Sequence, residues 1–131
     1  LKKEAFMPRE IISEVAGKPY SRGTRSGNMI FVSGQMGLDA NDKEIPGGVG
    51  PQMVQTMEYI KEILAESGAT LDDVMMTNVY MADLEGDYDE MNRVYREYFG
   101  TRAMPARATV EISRLAFDLK VEVSCIAIVN S

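Results

Sequence analysis

The chain has 131 residues, 45% hydrophobic and 26% charged, a balance that suits one globular domain with its own core and not two. Its 14 Lys plus Arg against 20 Asp plus Glu give a net charge of -6, a poor footprint for binding a phosphate backbone. There is no histidine and one cysteine, which excludes imidazole triads, His metal sites and His pH switches, together with intrachain disulfides and Cys-cluster metal sites.

A short β-branched strand is expected over 9–15, followed by a loop through Gly17-Lys18-Pro19-Tyr20, where Pro19 restricts Lys18. Residues 22–28 read as a short strand and a turn, and 29–33 as a strand ending at Gly34. The polar, Gly-rich stretch 37–51, with Pro46-Gly47-Gly48, reads as a loop into a helix. Met53, Met57, Ile60 and Leu64 recur at helical spacing, Val54 and Ile63 widen the stripe, and Glu58, Lys61, Glu62 and Glu66 fall mostly opposite, with Gly68 as the stop. A strand over 74–81 follows Leu71-Asp72-Asp73. Tyr88, Met91, Tyr95 and Tyr98 mark a second amphipathic helix ended by Gly100. Pro105 opens a strand over 106–113, Asp118 marks a turn, and 120–129 is the last strand.

The expected order is β-β-β-α-β-α-β-β with a hairpin at each end, giving an α+β domain of one mixed sheet with both helices on one face. In the last strand Val121, Val123, Cys125, Ala127 and Val129 alternate with Glu122, Ser124, Ile126 and Ile128, so both faces are largely apolar. Helices cover only one face, and the other is expected to pack on a partner subunit. No apolar run approaches the about 20 residues that span a bilayer, and no basic-plus-apolar signal opens the chain, so a soluble cytosolic protein is expected.

Few residues carry chemistry. Gly48-Val49-Gly50 lacks the Lys-Ser/Thr of a phosphate loop and the third glycine of a dinucleotide fingerprint, and reads as a hinge. Cys125 shares its face with valines and reads as a small core side chain. Asp72-Asp73 and Asp87/Asp89 read as helix-start carboxylates. Arg107, Thr109 and Glu111 share one face of their strand, expected to be the partner-facing one. An arginine there needs an anion: either a structural ion pair with Glu111 or Glu122, or a substrate carboxylate held in a bidentate fork. Glu122, a carboxylate in an apolar strand, reads either as a salt-bridge or subunit contact, or as a group that positions a water or moves its proton.

The run Pro105-Ala106-Arg107-Ala108-Thr109-Val110-Glu111-Ile112-Ser113-Arg114-Leu115, followed by Val121-Glu122-Val123, resembles the signature of the Rid family of enamine/imine deaminases (RidA/YjgF, also called endoribonuclease L-PSP or translation initiation inhibitor). Ser33-Gly34-Gln35, Gln55-Thr56 and Pro19-Tyr20 agree with it, and the likeness runs from about Ile11 to Val129. The resemblance implies a chorismate-mutase-like α+β domain spanning the chain, a homotrimer around a central β-barrel, and sites in clefts between subunits. It implies hydrolysis of 2-imino acids and their enamine tautomers (2-aminoacrylate, 2-iminopropanoate, 2-iminobutanoate) to 2-oxo acids and ammonia, without a cofactor. These substrates are released by pyridoxal-phosphate-dependent dehydratases.

By position, the resemblance makes Arg107 the carboxylate-binding residue and Glu122 the one that orients the water or shuttles its proton. Tyr20 would contact the ligand, Ser33 and Gly34 would line the pocket through their backbone, Asn92 would hold its geometry, and Thr109 would reach the water. The chain departs from the pattern at Lys18, where glycine is frequent, after Leu115, where a proline is common, and at Ser124, where an acid is frequent. Two other readings stand beside the deaminase. One is a non-catalytic trimer that senses 2-oxo or aromatic acids through the same Arg107. The other is a ribonuclease or translation inhibitor, which the charge of -6 disfavours and a patch of Arg22, Arg25 and Arg102 would favour.

Overall fold

The computed structural model describes residues 9–100 and 103–130; Arg102 lies outside them. The eight expected elements are present in the expected order: β1 (Glu10–Ile12), β2 (Gly23–Ser26), β3 (Met29–Met36), α1 (Val49–Ala65), β4 (Val74–Met81), α2 (Leu84–Phe99), β5 (Ala106–Glu111) and β6 (Val121–Ile128). The strands form one sheet in the order β1-β2-β3-β6-β4-β5. Every pair is antiparallel except β4 with β5, which α2 joins as a crossover.

Periodicity locates α1 because its apolar stripe meets the core. Met53, Met57, Ile60, Ile63 and Leu64 are buried, whereas Val54 points outward and is 39% exposed, so the stripe is narrower on that side than expected. Helical bonding ends at Ala65; Gly68, at a φ of +74°, donates to the Ala65 carbonyl and Ala69 donates to that of Leu64. Glycine bears that left-handed turn at little cost. Helix α2 is capped by Asp83, whose Oδ1 accepts from Gly86 N at 3.0 Å; Asp87 lies in the first turn and Asp89 further in, so the expected pair is not the cap. Asp73 does cap, accepting from Thr70 N at 2.8 Å.

Two expectations about the sheet need correction. Strand β5 forms no hairpin with β6: it pairs with β4 alone, and β6 inserts between β3 and β4. The segment between them, containing Phe117 and Asp118 at φ 60° and 55°, carries the chain back across β4. Gly34 is not a strand end either. Strand β3 runs on to Met36 through a bulge, with Val32 opposite Cys125, Gln35 opposite Val123, and Ser33-Gly34 spanning the gap.

Both helices lie on one face of this sheet. Val121, Val123, Cys125 and Ala127 of β6 are buried beneath them with Val79 and Met81 of β4. Glu122, Ser124, Ile126 and Ile128 are half-buried on the opposite face, which the described residues leave without a covering element, and Phe31 and Met29 are exposed beside them. Among the described residues no helix is long and apolar enough to cross a membrane.

Cys125 is 3% exposed, and burial pushes its thiol up to about 12. A protonated, enclosed thiol is a poor nucleophile. Cys125→Ala is therefore expected to cost about 1 kcal/mol in denaturant unfolding, as a small core truncation. Native protein is expected to resist thiol reagents until it unfolds, and prompt labelling would contradict this placement.

Candidate active site

Register decides where Arg107 points. It lies beside Thr77 of β4, and the Thr77 hydroxyl is buried under α2, 2.7 Å from the Tyr95 hydroxyl. Paired residues share a face, so Arg107 turns toward the helices, not toward the open face expected for it. The reach of α2 makes this possible. Tyr88, Asn92 and Tyr95 follow at spacings of four and three, which sets them on one side of the helix, over β5.

Arg107 is held there by neutral partners. Its Nη1 donates to Asn92 Oδ1 at 2.7 Å and its Nη2 donates to the Tyr88 hydroxyl at 3.1 Å. The guanidinium stands 4.8 Å from the Tyr95 ring centre and 5.8 Å from that of Tyr88. Neither expected ion pair forms. Glu111 accepts from Leu84 N at the start of α2, and Glu122 lies on the other face of the sheet. Among the described residues no carboxylate comes within ion-pair distance of Arg107. The cation is thus oriented by its π-faces and two acceptors but not neutralised, and it fronts a cavity of about 240 Å3 with Tyr88, Asn92, Arg96 and Pro105. Thr109, two residues on, is half-buried on this face, and its hydroxyl has no hydrogen-bond partner among the described residues.

The remaining candidates gather elsewhere. Glu122 sits between Met36 and Tyr80 across the sheet, and burial raises its carboxyl above the ordinary value. Its side chain lies directly over Gly34: a Cβ there would come within 2.6 Å of Glu122 Cδ. The bulge residue must be glycine for this carboxylate to occupy its place. Gly34 lines a second cavity of about 280 Å3 with Tyr20 and Lys18. The Ser33 hydroxyl donates to the Ser21 carbonyl at 2.6 Å and Ser33 N donates to that of Arg22, fastening the Tyr20 loop onto the bulge. Arg22 stands over the Tyr59 ring and Arg25 donates to the carbonyls of Gly27 and Ser67, so the two do not combine into one basic patch.

The candidate residues therefore form two groups, Arg107, Asn92 and Thr109 under α2, and Tyr20, Ser33, Gly34 and Glu122 around the β3 bulge, with the Glu122 carboxylate on the sheet face opposite Arg107. Sequence reasoning missed Tyr88 and Tyr95 as partners of the guanidinium. Their spacing with Asn92 was visible but was read only as core packing, since a stripe reports which residues face inward and not what they meet. Among the described residues no cluster of His, Cys, Asp or Glu could hold a metal ion.

An α+β domain with one mixed sheet, two helices on one face and a bulged strand beside a half-buried carboxylate is the class that this architecture defines. A family model, Endoribonuclease L-PSP, matches residues 11–129, and the chain belongs to that family. A RutC family protein of Pyrococcus abyssi is 45% identical over 126 residues, covering 92% of this chain and 98% of the relative. The 2-iminobutanoate/2-iminopropanoate deaminase of Escherichia coli K12 is 35% identical over 112 residues, covering 84% of this chain and 87% of the relative. The crystal structure of Escherichia coli TdcF with bound serine superposes with a TM-score of 0.83 at 31% identity, covering 92% of this chain and 99% of that one.

Proposed function

We propose that the chain hydrolyses reactive 2-imino acids, of the 2-iminopropanoate and 2-iminobutanoate type, to 2-oxo acids and ammonia. The observation that carries this reading is Arg107, a guanidinium oriented by Asn92, Tyr88 and Tyr95 with no anionic neighbour among the described residues, at the mouth of a small cavity. Such a group calls for a planar carboxylate. The deaminase name of the 35% identical relative, and the serine bound to TdcF, point to substrates of the amino-acid type.

Arg107 fixes the carboxylate and so places C2 of the imine. Water adds to C2, giving a carbinolamine. One water proton goes to the imine nitrogen as the carbinolamine forms; the C–N bond then breaks as the carbinolamine hydroxyl passes the other water proton to that nitrogen, which leaves as ammonia, and C2 becomes a carbonyl. An imine is already electrophilic, so orientation and a proton acceptor suffice. Glu122, half-buried and pushed toward neutrality, suits the hand-over of that proton.

Since Arg107 and Glu122 lie on opposite faces of one chain, the complete site is proposed to join Arg107 of one protomer to the partner subunit's Glu122 in a homotrimer closed through the uncovered sheet face. Ile126 and Ile128 stand half-buried on that face. Ile128→Asp is expected to convert a sedimenting trimer to monomers and to abolish turnover with it. A parent protein that already sediments as a folded monomer would overturn the shared site. The activity is tested by supplying imine from a threonine dehydratase, as a pyridoxal-phosphate enzyme would in the cell, and following 2-oxobutanoate. Release is expected to accelerate with substoichiometric protein; release at the protein-free rate would overturn the reading.

A further inference from the structure

The donors around Arg107 are unevenly matched by acceptors. Asn92 Oδ1 is engaged by Nη1, the Tyr95 hydroxyl by Thr77, and Arg96 and Arg107 accept nothing. The Tyr88 oxygen accepts from Arg107 Nη2, and the Asn92 side chain and the Arg107 charge both hold its phenol below the ordinary 10.0. A phenol has one proton, and an oxygen that faces a cation and an amide sends that proton away from them. Tyr88 is 37% exposed and lines the same cavity as Arg107, so the proton's direction is the cavity.

We propose that Tyr88 is a second contact for the substrate carboxylate: its hydroxyl, braced by Arg107, donates its proton to the oxygen that the guanidinium holds. This rests on the deaminase reading for its substrate class. The lining thus presents the arginine fork and a phenol donor on one side and, among the described residues, no carboxylate, which selects a planar anion and disfavours a neutral or cationic ligand. A merely packing role would need only the ring, and phenylalanine would supply that equally.

Tyr88→Phe separates the two. It keeps the face over the guanidinium and removes one hydroxyl from a part-exposed position, so the thermal midpoint is expected to stay unchanged. Two measurements are read: 2-oxobutanoate binding by calorimetry, which needs no turnover, and imine hydrolysis in the coupled assay. The dissociation constant for 2-oxobutanoate and the KM for imine are expected to rise together about tenfold, the scale of one hydrogen bond to a charged group. The kcat should hold within about twofold, since the contact is made equally in ground and transition states. In the parent, binding is also expected to weaken as pH climbs through the phenol's lowered pKa, because a phenolate cannot donate and repels the ligand. The charged groups facing it are Arg107 from β5 and Arg96 from α2. Tyr88→Phe should lose this alkaline limb.

Unchanged binding and KM in Tyr88→Phe, or a fall in kcat alone, would overturn the proposal. If the parent hydrolyses imine and Tyr88→Phe binds as it does, this inference fails and the deaminase reading stands. If Tyr88→Phe weakens 2-oxobutanoate tenfold while the parent does not accelerate imine hydrolysis, the contact stands and the deaminase reading fails. A parent that neither binds 2-oxobutanoate nor hydrolyses imine overturns both.

Discussion

Arg107→Lys is expected to lower 2-oxobutanoate affinity and imine turnover together, by about 30- to 1000-fold, the range that the loss of a bidentate charge-assisted contact implies. The substitution keeps the charge and removes the shape. The guanidinium now serves Asn92 with one nitrogen and Tyr88 with the other, and is backed by the Tyr95 ring at 4.8 Å. An ammonium on a flexible stem cannot meet Asn92 and Tyr88 and still present two parallel donors to a carboxylate. Calorimetry with 2-oxobutanoate reads the binding loss, and the dehydratase-coupled assay reads the rate. Sedimentation of the variant as the parent's oligomer is part of the test, because a dissociated protein would lose activity for another reason. Imine hydrolysis by Arg107→Lys at the parent rate would make the deaminase mechanism wrong and leave a binding protein in its place.

Glu122→Gln is expected to behave in the opposite way, with turnover lowered by about 100-fold or more, on the scale of a lost general base, and 2-oxobutanoate binding nearly intact. Glutamine keeps the volume that Gly34 leaves room for and cannot accept the proton. The pH behaviour adds a sign. Burial raises the Glu122 carboxyl above its ordinary 4.5, so the folded protein resists ionising this group more than the unfolded chain does. Below about that ordinary value both states hold the proton, and the group costs no stability. As pH rises from that ordinary value to the raised folded value the cost builds, and above the folded value it persists in full. Glu122→Gln should therefore unfold no more easily than the parent at neutral pH, which separates its loss of rate from a loss of fold. The parent's rate should climb with pH along a limb displaced above 4.5, as the carboxylate becomes available, and that limb should vanish in Glu122→Gln. A variant with full turnover, or a limb that survives the substitution, would remove Glu122 from the chemistry.

Much of the fold was legible because it is encoded locally. Strand β4 was placed at its observed limits, residues 74–81, and α1 was located by the recurrence of Met53, Met57, Ile60 and Leu64. Periods of 2.0 and 3.6 arise within a few residues of backbone, so the local order of residues reveals them. The sequence reads Gly34 as a strand end and not as part of the Ser33-Gly34 bulge, because a glycine at a turn and a glycine at a bulge look alike. What distinguishes Gly34 is Glu122, 88 positions later, occupying the space above it. The expected hairpin of β5 with β6 failed for a related reason. Two strands adjacent in sequence tend to pair, but β6 is apolar on both faces and is better buried in the middle of the sheet, between β3 and β4, than at its edge.

The candidate site residues are likewise legible by type and position, and their grouping is not. The chain by itself determined that Arg107 and Glu122 are charged side chains in apolar strands, that no histidine can share their work, and that Cys125 faces inward. Those statements depend on alternation and composition, which are properties of short segments. Only the tertiary structure decided that Arg107 faces α2 while Glu122 faces away from it, because the side a strand turns to the helices is set by its register with a neighbour. The parallel pairing of Arg107 with Thr77, and the hydroxyl contact of Thr77 with Tyr95, brought the guanidinium under α2 and gave it Asn92 and Tyr88. A shift of one residue in that pairing would have turned Arg107 to the other face, with the same amino acids in the same order.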